Sequence, residues 1–282
     1  MATFSNSMQI VKESFSVLQK HKKLIIFPVI SGILSLLLIG AVIVPGFFLT
    51  RGPDISRPSP LFYVFLVIFY VLASFVVMFF NTGLIYCARV AIQGGEPSVG
   101  DGFANAARHL PRIIGWALIS ATVGLVLRTI RDRGGIIGTV LAGLISVAWN
   151  VITFFVIPVM IFEEKGVIES IKESTGIFKR TWGENLMARF SVGLVFFLLG
   201  LIGIVPGLLV LLTGNAAVII PVWILAIAYL MVLVVISGAL NGVLATALYG
   251  YATTGQVPSA FNEETITGAF GPRPARGRGK KK

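Results

Sequence analysis

The chain has 282 residues, of which 56% are hydrophobic and 12% are charged, about half the charged fraction of ordinary soluble domains. A soluble globule of this size could not bury so much apolar surface, and the mean hydropathy is +0.90, so the composition predicts a multi-pass membrane protein. The single cysteine, Cys87, excludes an internal disulfide, and two distant histidines offer no zinc-type site. We therefore expect no metal and no cofactor. In a membrane protein, the net charge of +11 indicates contact with anionic lipid headgroups, and no nucleic acid is expected.

The first predicted element is an amphipathic helix that precedes residue 24. Its apolar residues recur at the spacing of one helix face, at Phe4, Met8, Val11, Phe15 and Leu18. Similar stripes precede the third and fifth apolar runs, at Val99, Phe103, Ala106, Leu110 and Ile113 and, less regularly, at Val167, Ile171, Ser174, Phe178 and Trp182. Such helices lie in the membrane interface with the apolar face toward lipid and the basic face toward headgroups. The expected headgroup contacts are Lys12, Lys20, Lys22, Lys23, Arg108, Arg112, Lys172, Lys179 and Arg180.

Six apolar runs approach the length of about 20 residues that a membrane-spanning helix needs. They cover residues 24–49, 61–88, 113–127, 136–162, 190–212 and 216–249. The third run has only 15 residues before Arg128, and we interpret it as a short span, with a re-entrant hairpin as the alternative. With six spans, Lys and Arg are distributed 18 to 5 between the two sides. The positive-inside rule then predicts an inner (cytoplasmic) membrane protein with both termini in the cytoplasm.

Internal similarity indicates a repeat. Lys12-Glu13-Ser14 matches Lys172-Glu173-Ser174 at an offset of 160 residues, and Asn81 matches Asn241 at the same offset. We predict an all-α integral membrane fold in which three parallel repeats each contain one amphipathic interfacial helix and two transmembrane helices. The repeats are residues 1–90, a shortened unit at 91–162, and 163–262, and chance similarity in a biased sequence is the alternative. Residues 263–282 form a basic cytoplasmic tail that cannot bury a core and is predicted to be disordered.

Polar groups inside the apolar runs are few. The runs contain no Asp, Glu, Lys, Arg or His, which argues against a proton-coupled pump or an intramembrane protease and predicts no catalytic residue. The most specific polar residues are Asn81, Asn150 and Asn241. They face a polar solute path, or they form interhelical hydrogen bonds of roughly 0.6–2 kcal/mol each.

Two further features stand in or beside the runs. Five prolines can each kink a span, as at transporter binding sites, or can be ordinary membrane-helix prolines: Pro28, Pro45, Pro158, Pro206 and Pro221. Glu163 and Glu164 directly follow the fourth run. We interpret this pair as a cap for the following helix, with cation binding as the alternative.

Several segments together carry a family resemblance. They include Gly94-Gly95-Glu96-Pro97-Ser98, Trp149-Asn150 and Lys179-Arg180-Thr181-Trp182-Gly183-Glu184. The chain resembles a widespread prokaryotic family of multi-pass membrane proteins of unknown function, over nearly its whole length except the basic tail. It is more distantly similar to the membrane domain that accompanies some glycerophosphodiester phosphodiesterases. The resemblance implies a helical membrane fold and no activity, because the catalytic residues of those enzymes belong to a separate soluble domain.

Two functional hypotheses follow. The leading one is a non-enzymatic membrane protein that organises lipid or partner proteins through its basic cytoplasmic belt, as a homo-oligomer or a subunit of a membrane complex. The alternative is a channel or transporter for a small neutral or lipid-like solute, with the three asparagines facing its path.

Overall fold

A computed structural model of the chain describes residues 2–50, 60–182, 187–263 and 266. The described residues form α-helices joined by short turns, without a β-strand. The helices are α1 (Ala2–Lys20), α2 (Ile26–Leu38), α3 (Val44–Thr50), α4 (Pro60–Ile92), α5 (Val99–Arg108), α6 (Leu110–Arg133), α7 (Gly135–Ile152), α8 (Val156–Phe162), α9 (Val167–Trp182), α10 (Met187–Val210) and α11 (Ala216–Thr254). The predicted basic tail lies outside the described residues, apart from Glu263 and Ile266.

Six helical stretches of the described chain are long and apolar enough to cross a membrane. They are Lys22–Gly46, Pro60–Ile92, Leu110–Arg133, Gly135–Phe162, Phe196–Thr213 and Ala216–Thr254. The first combines α2 with the short helical turns on either side of it and the first three residues of α3, and the fourth combines α7 with α8. The all-helical, multi-pass character predicted from the composition is therefore confirmed.

The third span is longer than its apolar run. Helix α6 has 24 residues and is about 36 Å long, because its basic end continues the helix beyond the apolar stretch. Arg128 is paired with Asp132 one turn later, at an Nε–Oδ2 distance of 3.4 Å. Gly135, with φ of +55°, then begins the return of the chain through α7. The described structure thus contains one unbroken helix of spanning length where the apolar run alone looked too short.

The short helices α1, α5 and α9 gather at one end of the long helices, which we call the base. At the base the Tyr249 hydroxyl, near the end of α11, donates to Glu163 Oε1, just after α8, over 2.6 Å. A C-terminal segment, residues 255–263, crosses the base. Ser259 Oγ donates to the Ile92 carbonyl oxygen at the end of α4, and Asn262 Nδ2 donates to Glu13 Oε1 of α1 over 2.8 Å.

The apolar faces of the short helices pack against the protein. In α1 the side chains of Ile10, Val17 and Leu18 are at most 5% exposed and belong to the main core, whereas Phe15 is 39% exposed. The packed face of α1 is therefore rotated from the predicted stripe, because it meets the long helices and not a flat lipid surface. In α9, Phe178 of the predicted stripe is buried together with Ile177. The side chains of Phe4, Met8 and Trp182 lie outside those that the structure describes.

Helices α4 and α5 come into close backbone contact at two glycines. A Cβ placed on Gly83 would lie 3.1 Å from the Gly102 carbonyl oxygen, and one on Gly102 would lie 3.0 Å from the Gly83 carbonyl oxygen. The ring of Phe27, which is fully buried, packs over both glycines. Small residues allow membrane helices to pack backbone to backbone in this way. The contact holds α5 to the middle of the core.

Candidate functional site

The structure brings the three intramembrane asparagines to a single cavity. Asn81 of α4, Asn150 of α7 and Asn241 of α11 all line a cavity of about 1500 Å³. Each lies about three helical turns before the base end of its span, so the three amides stand at similar depth. The walls are formed by α2, α4, the α7–α8 pair and α11, with Trp116 contributed by α6.

The lining of this cavity is apolar apart from a few uncharged polar groups. Besides the asparagines and Trp116, the polar side chains that line it belong to Ser31, Ser35 and Thr153, and no Asp, Glu, Lys, Arg or His lines it. Among the described residues, no three His, Cys, Asp or Glu side chains come close enough to hold a metal ion. The cavity therefore has the chemistry of a site for an uncharged molecule with a large apolar part.

The side-chain amides of the three asparagines make few hydrogen bonds among the described residues. Asn241 Nδ2 donates to Ser237 Oγ over 3.3 Å, within its own helix. Asn81 Oδ1 lies 3.7 Å from the position of a Cβ on Gly242, next to Asn241 on the neighbouring helix. In the part of the chain that the structure describes, the amides of Asn81 and Asn150 have no hydrogen-bond partner. A desolvated polar group without a partner costs about 1–3 kcal/mol, so these amides favour a polar ligand group or water.

The fourth span is interrupted beside Asn150. Helix α7 ends at Ile152 and α8 begins at Val156, with a turn between them. Pro158 accounts for the interruption, because a proline inside a helix lacks a donor and its ring clashes with the carbonyl four residues earlier. By contrast, Pro206 and Pro221 stand inside continuous helices. Of these three prolines, only Pro158 coincides with a break, and that break borders the cavity.

A polar network ties the base together. Glu163, which binds Tyr249, also pairs with Lys165 Nζ over 2.6 Å through its second oxygen. Lys165 reaches Glu173 Oε2 over 3.2 Å, and Arg180 reaches Glu173 Oε1 over 2.7 Å. The hydrogen bonds from Lys165 and then Arg180 lower the pKa of Glu173, and those to Glu163 and Glu173 raise the pKa of Lys165. Sequence reasoning missed the Tyr249–Glu163 contact, since 86 residues separate the partners.

The cap of α9 differs from the one expected. The backbone N–H of Gly166, directly before α9, donates to Glu169 Oε2 over 3.3 Å, in the manner of a capping box. Glu163 instead binds Tyr249 and Lys165, while Glu164 adopts a left-handed backbone conformation with φ of +52°. Glu163 therefore anchors the turn before α9 to α11.

The basic residues predicted to contact headgroups are mostly exposed. Of the nine predicted residues, eight are exposed and Arg112 is half-buried. One of the eight, Arg180, is paired with Glu173, which leaves seven. The seven are Lys12, Lys20, Lys22, Lys23, Arg108, Lys172 and Lys179. We call these seven residues the basic belt. They lie on or beside α1, α5 and α9, so they surround the base.

Comparison with known proteins gives one match. The sequence model of a family of unknown function (DUF6159) matches residues 61–259. The matched region runs from the second span to the C-terminal segment and contains all three asparagines. No curated protein and no solved structure matches the chain. The expected resemblance to a family of unknown function is confirmed.

Proposed function

The chain belongs to this family of unknown function, and we propose that it binds and transports a small, neutral, lipid-like solute. One observation carries the proposal: asparagines from three separate spans line the same cavity, whose other walls are almost entirely apolar. The polar part of the solute is bound by the amides, and its hydrocarbon part occupies the rest of the cavity. The volume of about 1500 Å³ exceeds the range of about 300–1000 Å³ for drug-sized ligands, which leaves room for an acyl chain.

The absence of charged side chains from the cavity lining selects against ionic lipids. A charged headgroup inside the bilayer is stable only with an opposite charge or water beside it, and the cavity lining has neither Lys nor Arg. An ester, hydroxyl or amide group needs only donors and acceptors, which asparagine supplies. The favoured solute is therefore uncharged.

Photolabelling in reconstituted vesicles tests the proposal. The probes are a photoactivatable diacylglycerol and a phosphatidic acid with the same photoactivatable chain. We expect cavity peptides of the wild type to be labelled by the neutral probe. We expect the triple variant Asn81→Leu, Asn150→Leu and Asn241→Leu to be labelled about tenfold less, the equivalent of about 1.4 kcal/mol, because only the hydrogen bonds are removed.

The matched control is Asn105→Leu, which removes an amide outside the cavity whose Oδ1 is buried and has no partner in the described structure. This variant should be labelled like the wild type. Equal labelling of the triple variant and the wild type would contradict the proposal, as would stronger cavity labelling by phosphatidic acid. Flux of the neutral probe between leaflets, measured in the same vesicles, separates transport from binding alone.

A second candidate function is the organisation of anionic lipid or partner proteins at the base, in an oligomer or complex. The exposure of the basic belt supports it, since each Lys or Arg near an anionic surface contributes about 1 kcal/mol. We expect charge reversal at Lys12, Lys20, Lys172 and Lys179 to weaken retention of phosphatidic acid in native mass spectra severalfold, with neutral-probe labelling unchanged. Unchanged lipid retention would exclude this candidate.

The remaining sequence expectations stand as parts of the proposal. The base faces the cytoplasm of the inner membrane, and the protein is not an enzyme. Three parallel repeats, each of one interfacial helix and two spans, are related by an axis along the membrane normal. In support of the repeat, Ser14 and Ser174 occupy matching positions and are 1% and 0% exposed. The distant similarity to the membrane domain that accompanies glycerophosphodiester phosphodiesterases stays a prediction.

A further inference from the structure

At the break in the fourth span, two backbone groups do not make the hydrogen bonds of a continuous helix. In a continuous helix the Ile152 carbonyl would accept from the Val156 amide, but that amide donates to the Thr153 carbonyl oxygen over 3.1 Å. The Phe155 amide would donate to Val151, whose carbonyl oxygen accepts from Phe154 at 3.4 Å instead. In hydrocarbon, each such backbone group must be satisfied within the protein.

Ser174 of α9 satisfies both groups at once. Its Oγ donates to the Ile152 carbonyl oxygen over 2.6 Å and accepts from the Phe155 amide over 3.1 Å. The side chain is fully buried, and these two bonds use its donor together with an acceptor site. One hydroxyl from another helix therefore bridges the two edges of the break.

The bridged segment lines the cavity. Asn150, Thr153 and Phe154 stand at the break and all border the cavity. The Thr153 hydroxyl is turned back to the Trp149 carbonyl oxygen over 2.6 Å. Asn150 lies in the last turn of α7, directly before this break, so a shift of the broken segment moves Asn150 with it. Broken helices with satisfied backbone groups are a recurring way to build solute sites.

We propose that Ser174 is a positioning residue for the solute site, acting through the break on Asn150. This inference rests on the function proposed above. It makes α9 part of the site although α9 itself does not line the cavity. Displacement of α9 at the base removes the Ser174 bridge and changes the position of Asn150.

Photolabelling by the neutral diacylglycerol probe tests this role with the full-length protein in vesicles. We expect Ser174→Ala to reduce cavity labelling about fivefold, a loss of about 1 kcal/mol in binding, and Ser174→Thr to restore it. The matched control is Ser170→Ala, one turn earlier on the same face of α9. Ser170 is also fully buried but bonds the Lys165 carbonyl oxygen, away from the break. Labelling of this control should stay at the wild-type level.

A spectroscopic signature reports the break directly. Trp116 and Trp149 are stacked, with ring centroids 5.8 Å apart, and Trp149 lies one turn before the break. We expect the circular dichroism couplet of this pair to change in Ser174→Ala and to persist in Ser170→Ala and Ser174→Thr. If Ser174 only stabilised the protein, the Trp116–Trp149 couplet would be unchanged in folded Ser174→Ala.

The outcomes separate this inference from the proposed function. A wild type that the probe does not label overturns both. A labelled wild type with equal labelling and an equal couplet in Ser174→Ala overturns the positioning role alone. If Ser174→Ala does not fold, Ser174→Thr and Ser174→Val, which have the same shape and differ in the hydroxyl, replace it in the comparison. Failure of all three to fold assigns Ser174 a structural role and also overturns the inference.

Discussion

Gly102→Ala is expected to destabilise the protein by about 3 kcal/mol, the upper range for overpacking a core. The added Cβ would lie 2.5 Å from the Phe27 ring, 2.7 Å from Cys87 Sγ and 3.0 Å from the Gly83 carbonyl oxygen. Phe27 and Cys87 are at most 1% exposed, so neither side chain has space to move, and the third contact is backbone. Relief therefore requires separation of α5 from α4. Thermal unfolding in detergent, followed by circular dichroism, measures the effect.

The control for this prediction stands on the same helix. A Cβ on Gly100 would meet only Ser98 Oγ at 3.6 Å, an ordinary contact. Gly100→Ala should therefore leave stability unchanged or raise it by up to about 1 kcal/mol, because alanine favours the helix. If both variants unfold at the same temperature, the close contact between α4 and α5 is not as described.

Gly32→Phe is expected to abolish labelling of the cavity by the neutral diacylglycerol probe. Gly32 of α2 lines the cavity, and a Cβ placed there meets no atom within 4 Å. The phenyl ring can therefore occupy part of the cavity without displacing neighbouring side chains or backbone. Because hydrogen bonding is untouched, this variant tests steric occupancy independently of the asparagines. We expect at least about a tenfold loss of labelling, which corresponds to about 1.4 kcal/mol, with folding preserved.

Gly143→Phe provides the matched control. Gly143 of α7 also has open space around its Cβ, but it does not line the cavity. The neutral diacylglycerol probe should label the cavity of Gly143→Phe as strongly as that of the wild type. Wild-type labelling of Gly32→Phe would show that the solute binds elsewhere on the protein.

The spans could be predicted from the sequence because hydrophobicity along the chain determines them locally. Helix α6 shows the limit of that reasoning. Its apolar run stops at Arg128, but the helix continues for another turn and more, since Arg and Asp side chains at a helix end are tolerated near the interface. Composition identifies the apolar part of a span and underestimates its helical length.

The residues of the candidate site could be predicted from the sequence, but their convergence on one cavity could not. Asn81, Asn150 and Asn241 stand out as rare amides in apolar runs, and Asn81 matches Asn241 at the repeat offset of 160 residues. That the three line one cavity depends on how α4, α7 and α11 pack, which no local pattern encodes. Likewise, the sequence marks Ser174 only as part of a repeated triplet. Its bonds to Ile152 and Phe155 require a break that one proline can cause but does not guarantee.

The face of α1 could not be assigned correctly for a similar reason. The stripe through Val11, Phe15 and Leu18 fits a helix lying on a flat lipid surface. In the structure, α1 meets α10 and α11, and Ile10, Ser14 and Val17 point inward beside Leu18. Which side of an amphipathic helix is covered depends on the direction from which its partners approach.

The C-terminal segment has a consequence for biogenesis. Glu13 is synthesised 249 residues before Asn262, which donates to it through both its backbone and its side chain. The first short helix is therefore locked in place only after the sixth span has been inserted. A nascent chain arrested before Ser259 lacks the bonds of this segment to α1 and α4, so its base stays open.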